Sequence, residues 1–252
     1  MASAKTDVAV IILAAGLGTR MKSSKAKVLH TILGKPMILY VVDTARQIAG
    51  ENVIVVVGHQ ADEVRAQVTH QAPAIFAHQA QQKGTGHAVK CALPAIPSGC
   101  RHVVVLCGDV PLLSAATLAA FVEAHCQKRR ILSLMAVHLD NPSGYGRLLC
   151  NTAGDLEAIV EEADATVRQK SIKLVNAGIY CIESQFLHVA LSAIDPNNAQ
   201  SEYYLTDIVA VAYRAGRSIG VTIGQDPHEF LGINSPADLA AVERILTRQS
   251  AR

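Results

Sequence analysis

The sequence predicts an α/β chain of Rossmann-like build: a mainly parallel sheet, with antiparallel additions in its second half. Three observations predict the sheet and its layers. Short Val/Ile-rich runs alternate with amphipathic segments, the pattern of βαβ units. The first run, Val8 to Leu13, is apolar without alternation, as a strand buried on both faces must be. From Leu132 the texture changes to strand-like pieces joined by Asn-Pro-Ser-Gly and Ala-Gly-Asp turns, which favour antiparallel neighbours.

After Val8 to Leu13 comes a Gly-containing loop, and Pro36 opens a helix to about Ala49, with Ile38, Val42, Ala45 and Ala49 on one face. Val53 to Val57 is the next strand, and Ala61 to about Val68 the next helix. A short strand at Ala74 to Phe76 precedes a helix from Thr85 to about Leu93. Val103 to Leu106 is a buried strand, followed by a helix to about His125 that Ser114 caps. Leu132 to His138, Tyr145 to Cys150 and Leu156 to Val160 are strands. Ser184 to Ile194 and Tyr204 to Ala215 read as helices, Ile219 to Ile223 as a strand, and Ser235-Pro236 starts a helix to about Arg248. No repeat or linker interrupts this order. One domain is expected, with a nucleotide-binding part at about 7–130, a second-substrate part at about 131–234 and a closing helix at about 235–248.

Composition narrows the function classes. Half of the 252 residues are hydrophobic and 17% are charged, which excludes a disordered chain. The 23 Lys and Arg balance 21 Asp and Glu, so no basic field points to a nucleic-acid partner. The longest uncharged apolar run, Val8 to Ala15, is far short of the roughly 20 residues that span a bilayer, and no membrane insertion is expected. Asp7 and the following Gly-x-Gly-Thr-Arg argue against a signal peptide, so a cytoplasmic chain is expected. The six Cys and ten His show no zinc-ligand spacing. Nothing in the residues fixes an oligomeric state.

The most informative segment is Leu13-Ala14-Ala15-Gly16-Leu17-Gly18-Thr19-Arg20-Met21, at the carboxyl end of the first strand, where open parallel sheets bind ligands. Small residues there admit phosphate oxygens to backbone N–H groups, and Arg20 adds a fork of donors. Met21 stands where a dinucleotide fingerprint needs its third Gly, and again where a Walker A loop needs the Gly before Lys22-Ser23. Lys27 adds a point charge suited to a polyphosphate; on spacing alone it reads first as one of several solvated lysines with Lys22, Lys25 and Lys35.

Leu-Ala-Ala-Gly-x-Gly-Thr-Arg-Met followed by Lys27-Val28-Leu29-His30 resembles the sugar-phosphate nucleotidyltransferases. Within them it is most similar to the uridylyltransferase domain of the bifunctional bacterial N-acetylglucosamine-1-phosphate uridyltransferases. The resemblance continues in order through Gln79 to Ala88, Gly108-Asp109-Val110-Pro111, Gly144-Tyr145-Gly146-Arg147, Ile159-Val160-Glu161, Asn176 to Tyr180, Asn198 to Asp207, and Gly232-Ile233-Asn234.

That resemblance implies a Mg²⁺-dependent reaction of UTP with N-acetylglucosamine 1-phosphate, giving UDP-N-acetylglucosamine and pyrophosphate. It gives Arg20 and Lys27 the catalytic charges and Asp109 and Asn234 the metal. Asp109 follows a strand directly, and a carboxylate there suits a hard cation; the alternatives are a turn aspartate and, for Asn234, a helix cap. By the same resemblance the nucleotide contacts Leu13, Ala14, Ala15, Gly16, Gln79, Gly84, Thr85, Cys107, Gly108 and Asp109, with the Gln79 amide both donating and accepting at the uracil edge. The sugar falls to Gly146, Glu161, Asn176, Tyr204 and Thr206, although Glu161 by itself reads as a solvated charge beside Glu162. The nucleophile is an ionised phosphate, so no general base is required, and His30 and His87 are read as structural. Leu17 and Cys107 depart from the family's usual Lys and Tyr, and Ala177 and Pro236 are milder variations.

The sequence ends soon after Asn234 without hexapeptide repeats, so the acetyltransferase of the bifunctional members is not expected in it. Two readings compete with this one: a related nucleotidyltransferase for another base or sugar 1-phosphate, and a nucleotide-sugar binding module without catalysis.

Overall fold

The computed structural model describes residues 7–250. Its strands are β1 (Val8–Leu13), β2 (Thr31–Ile32), β3 (Lys35–Pro36), β4 (Val53–Val57), β5 (Ile75–His78), β6 (His102–Cys107), β7 (Leu132–His138), β8 (Arg147–Cys150), β9 (Leu156–Val160), β10 (Leu174–Glu183) and β11 (Ile219–Ile223). The helices are α1 (Met37–Ala49), α2 (Ala61–Gln71), α3 (Thr85–Ala92), α4 (Ala115–Gln127), α5 (Val167–Lys170), α6 (Ser184–Ala193), α7 (Asp207–Arg214) and α8 (Pro236–Ser250).

The central path runs β11-β7-β10-β6-β1-β4-β5, with β8 paired to β10 and β9 to β8. β5, β4, β1 and β6 are mutually parallel, as the βαβ pattern predicts. β10 is antiparallel to β6, β7 and β8, and β8 and β9 form an antiparallel pair, which are the additions expected of the second half. β1 shows why its sequence does not alternate. Val8, Val10 and Ile12 join the core on one face of the sheet and Ala9 and Ile11 join the core on the other, all buried. α1 and α4 pack together on the first face, and α6 and α7 on the second.

Ser114 caps its helix as the sequence predicts, and a glycine stops the first helix. Ser114 accepts a hydrogen bond from Thr117 N at 3.1 Å and caps α4. Gly50, at φ 60°, ends α1 and donates to Arg46 O at 2.9 Å.

Four elements depart from the sequence reading. Pro36 does not open α1; it closes a small hairpin, β2-β3, whose turn residues Leu33 and Gly34 have φ of 48° and 82°. The segment Tyr204 to Thr206 is loop, and α7 begins only at Asp207, because Leu205 N bonds to Thr85 Oγ1 at 3.0 Å instead of entering a helix. The longest strand, β10, was read only as a motif. Asn176 and Gly178 interrupt its apolar pattern at a register shift between Asn176 and Tyr180, where Gly178 takes φ 73°. Tyr145 and Gly146 likewise lie in the loop ahead of β8.

Parallel strands deliver their following loops to one edge of the sheet. The loops after β1, β5 and β6 therefore meet. β10 runs the other way, so its first half, with Asn176, arrives at the same edge. Among the described residues, no helix is long and apolar enough to cross a membrane.

Candidate active site

Two cavities open at this carboxyl edge and share a wall. The first, about 460 Å³, is lined by residues 13–19 of the glycine loop, Lys27, Gln79, Gln82, Gly84, Thr85, Cys107, Asp109 and Glu202. The second, about 210 Å³, is lined by Gly144, Tyr145, Gly146, Glu161, Asn176, Tyr180, Leu205, Thr206, Gly232 and Asn234, among others. Leu13, Thr85, Cys107 and Asp109 line both. A larger cleft of about 740 Å³ at the opposite end of the sheet, around Arg101 and His102, contains none of the residues singled out from the sequence.

The junction between the two cavities concentrates charge. Lys27 Nζ bonds to Asp109 Oδ2 and, at 3.1 Å, to Asn234 Oδ1; Arg20 Nη2 reaches the same Asn234 oxygen at 2.9 Å. Residues far apart in the chain meet here through backbone pairing. Gly108 N donates to Leu13 O at 2.9 Å, tying the start of the Asp109 loop to β1. Ile233 N donates to Asp109 O at 2.9 Å, which brings Asn234 beside the carboxylate. The helix cap beside Asn234 is made by its neighbours. Ser235 Oγ accepts from Asp238 N at 3.3 Å and Asp238 Oδ2 accepts from Ser235 N at 2.8 Å, so Ser235 and Asp238 cap α8 and leave Asn234 Oδ1 facing the cations. Two oxygens already bridged by one ammonium lie within reach of a single cation. A carboxylate and an amide oxygen suit Mg²⁺, which takes few protein ligands.

In the first cavity Gln79 is 3% exposed. Its Nε2 donates to Gly84 O at 3.1 Å and lies 3.0 Å from His87 Nδ1, so the amide nitrogen is turned toward protein groups and Oε1 is the end left toward the cavity. The backbone is also partly committed: Ala14 N bonds to Val56 O at 2.9 Å, and Ala15 O accepts from His59 N at 3.3 Å. Gly108 lies behind the cavity wall, where a Cβ would meet Leu13 O at 3.0 Å; its role is to hold the loop against β1. Burial pushes the Cys107 thiol up to about 12, and nearby Asp109 adds to the rise, so the side chain is a neutral wall.

In the second cavity Gly146 is required by space. A Cβ there would meet Ile159 Cγ2 at 2.8 Å and Glu161 Oε2 at 3.3 Å. Glu161 is not a solvated charge: it accepts from Thr206 Oγ1 at 2.9 Å, and burial raises its pKa against that hydrogen bond. The exposed partner is its neighbour. Glu162 Oε2 takes a 2.6 Å bond from the buried Arg147 guanidinium, which also bonds to Tyr145 O and, at 3.3 Å, to Lys170 O. Asn176 accepts from Gly178 N at 3.0 Å and donates to Tyr180 Oη at 2.7 Å, which leaves one amide hydrogen for the cavity. Tyr204 is not among the residues lining this cavity; its hydroxyl donates to Gln200 Oε1 at 2.9 Å. Sequence reasoning missed Glu202, Gln82, Tyr145 and Tyr180 as lining residues. Each lies inside or beside a recognised motif.

Comparison with known proteins follows the same geometry. The chain is 48% identical over 242 residues to the bifunctional protein GlmU of Marinobacter nauticus and 44% over 240 residues to that of Geotalea uraniireducens, covering 96% and 95% of this chain. It spans about half the length of these two curated relatives, 52% in each case. It is 40% identical over 248 residues to GlmU of Desulfotalea psychrophila, covering 98% of this chain and 73% of that one. Among solved structures, a putative glucose-1-phosphate thymidylyltransferase from Bacillus anthracis in complex with sucrose shares the fold, with a TM-score of 0.71, 18% identity and 94% of each chain covered. The model of the MobA-like NTP transferase domain matches residues 10–172, and the chain belongs to that family.

Proposed function

We propose that the chain is a uridylyltransferase that joins UTP and N-acetylglucosamine 1-phosphate into UDP-N-acetylglucosamine and pyrophosphate, with Mg²⁺. The observation that carries this reading is the shared wall. A nucleotide-sized cavity and a smaller polar one meet at Asp109, beside Lys27, Arg20 and Asn234.

A phosphate oxygen of the sugar attacks the α-phosphorus in line, a P–O bond forms, and the bond to the departing pyrophosphate breaks. The nucleophile is already an anion, and the junction holds no base poised to deprotonate it. The task of the protein is to align two anions and neutralise their repulsion. Lys27 and Arg20 supply positive charge on the triphosphate side, and Asp109 with Asn234 would hold the metal, which adds charge neutralisation and orientation when bound. Gly146 and Glu161 shape the sugar side, with Glu161 and the remaining Asn176 hydrogen available to hydroxyl or acetamido groups.

The test is pyrophosphate release from the purified chain with UTP, N-acetylglucosamine 1-phosphate and Mg²⁺, run beside Asp109→Ala and beside a panel of other nucleotides and sugar phosphates. Turnover with this pair, lost in Asp109→Ala and on chelation, is expected. No turnover above the Asp109→Ala control overturns the reading.

A further inference from the structure

Gln79 is locked by two acceptors. Gly84 O takes one amide hydrogen at 3.1 Å, and it is held in place as the acceptor for Ala88 N at 3.1 Å in the first turn of α3. His87 Nδ1, 3.0 Å away, takes the other. That bond requires the His87 proton to sit on Nε2, and Nε2 faces Cys91 Sγ at 3.8 Å, a weak acceptor suited to it. Burial, with Lys83 and Lys90 nearby, lowers the His87 pKa against a hydrogen bond from the ring to the Gln81 carbonyl. Gln79 Oε1 has no partner among the described residues and is not among the closed-off atoms, so the amide shows a lone acceptor to the cavity it lines.

We propose that His87 sets the polarity of Gln79 and so makes the cavity choose a pyrimidine whose ring N3 carries a proton, uracil, over cytosine, whose N3 is an acceptor. This rests on the nucleotide-binding half of the proposed function. Uracil N3–H donates to Oε1. Cytosine N3 sets a lone pair against Oε1, and turning the amide over to meet it would aim Oε1 at Gly84 O and His87 Nδ1, replacing two hydrogen bonds by two repulsions. Gln79 is then the reading group and His87 the positioning residue. Sites built around a fixed donor or acceptor reject ligands that lack the complement far more strongly than apolar pockets do.

Two measurements test this. The first is the ratio of dissociation constants for UTP and CTP, by calorimetry with Mg²⁺ and no sugar phosphate, for the wild-type chain and for His87→Phe. Wild type is expected to favour UTP by at least about a hundredfold, and His87→Phe to cut that ratio by about tenfold or more, mainly through tighter CTP binding. The second is the histidine tautomer in the wild-type chain by ¹⁵N NMR, which does not depend on the variant folding. An unprotonated Nδ1 and a protonated Nε2 are expected for His87. An unchanged UTP/CTP ratio in folded His87→Phe, or a proton on Nδ1 in the wild type, overturns the proposal. Because binding needs no turnover, an inactive chain that still prefers UTP through His87 fails the proposed reaction alone. Binding of neither nucleotide overturns both.

Discussion

Gly84 sits where a side chain has no room and its backbone has no ordinary alternative. Its φ of 98° with ψ of 174° lies in a region that glycine alone adopts readily, at a strain of about 1–3 kcal/mol for another residue. A Cβ there would meet Tyr203 O at 2.6 Å, Glu202 Cβ at 2.8 Å and Tyr203 N at 3.0 Å, two of them backbone atoms that cannot swing aside. The same two atoms hold the 203 loop, through Gly86 N to Tyr203 O at 2.7 Å and Tyr203 N to Lys83 O at 2.8 Å. Relieving the clash loses both bonds, about 0.5–1.5 kcal/mol each. Gly84→Ala is therefore expected to cost about 2–6 kcal/mol, which for a chain of this size lowers the melting temperature by roughly 12 °C at the middle of that range. The displaced Gly84 carbonyl also frees the Gln79 amide, so the KM for UTP is expected to rise by about tenfold or more. The assay is a thermal melt followed by steady-state kinetics, with Gly16→Ala as the stability control, because a Cβ at Gly16 meets nothing within 4 Å. A melting temperature within about 2 °C of wild type for Gly84→Ala would refute the reasoning.

Three further outcomes are expected. Lys27→Ala lowers kcat by about a hundredfold or more while the KM for the sugar phosphate stays within about threefold, because its charge acts on the transferring phosphates; an equal loss in Lys22→Ala contradicts that assignment. Arg147→Met frees the 144–146 loop from Glu162 and is expected to raise the KM for the sugar phosphate by about tenfold with the KM for UTP little changed; equal changes in both would make Arg147 a general stabiliser instead. His125 is buried with its pKa lowered to about 4, first by burial and then by His102 and Arg130. The folded chain therefore binds fewer protons than the unfolded one between about pH 6.5 and 4, so the contribution is fully present above about 6.5 and lost as pH falls toward 4. Urea unfolding should weaken by about 1–3 kcal/mol across that window in wild type and by less in His125→Gln, and parallel profiles would exclude His125 as the cause.

The sequence by itself determined the parts whose cause is local. Apolar runs without alternation had to be strands buried on both faces, and Ser114 started a helix through a bond to a residue three positions on. The glycine loop, Asp109 and the sugar motifs were legible as blocks because each retains its residue types in order. β10 was not legible, since a polar, glycine-bearing segment becomes a central strand only when β6 and β7 pair with both its edges. Nor was the difference between Glu161 and Glu162: both lie just past the end of β9, and only the packing of Thr206 and Arg147 says which one is drawn inward. The polarity of Gln79 likewise depends on two acceptors that the fold brings to it, and Asn234 becomes available as a ligand only because Ser235 and Asp238 take over the cap. Residue types show what chemistry a chain carries. Which atom of each group remains unpaired is decided by neighbours that are distant in sequence, and so by the tertiary structure.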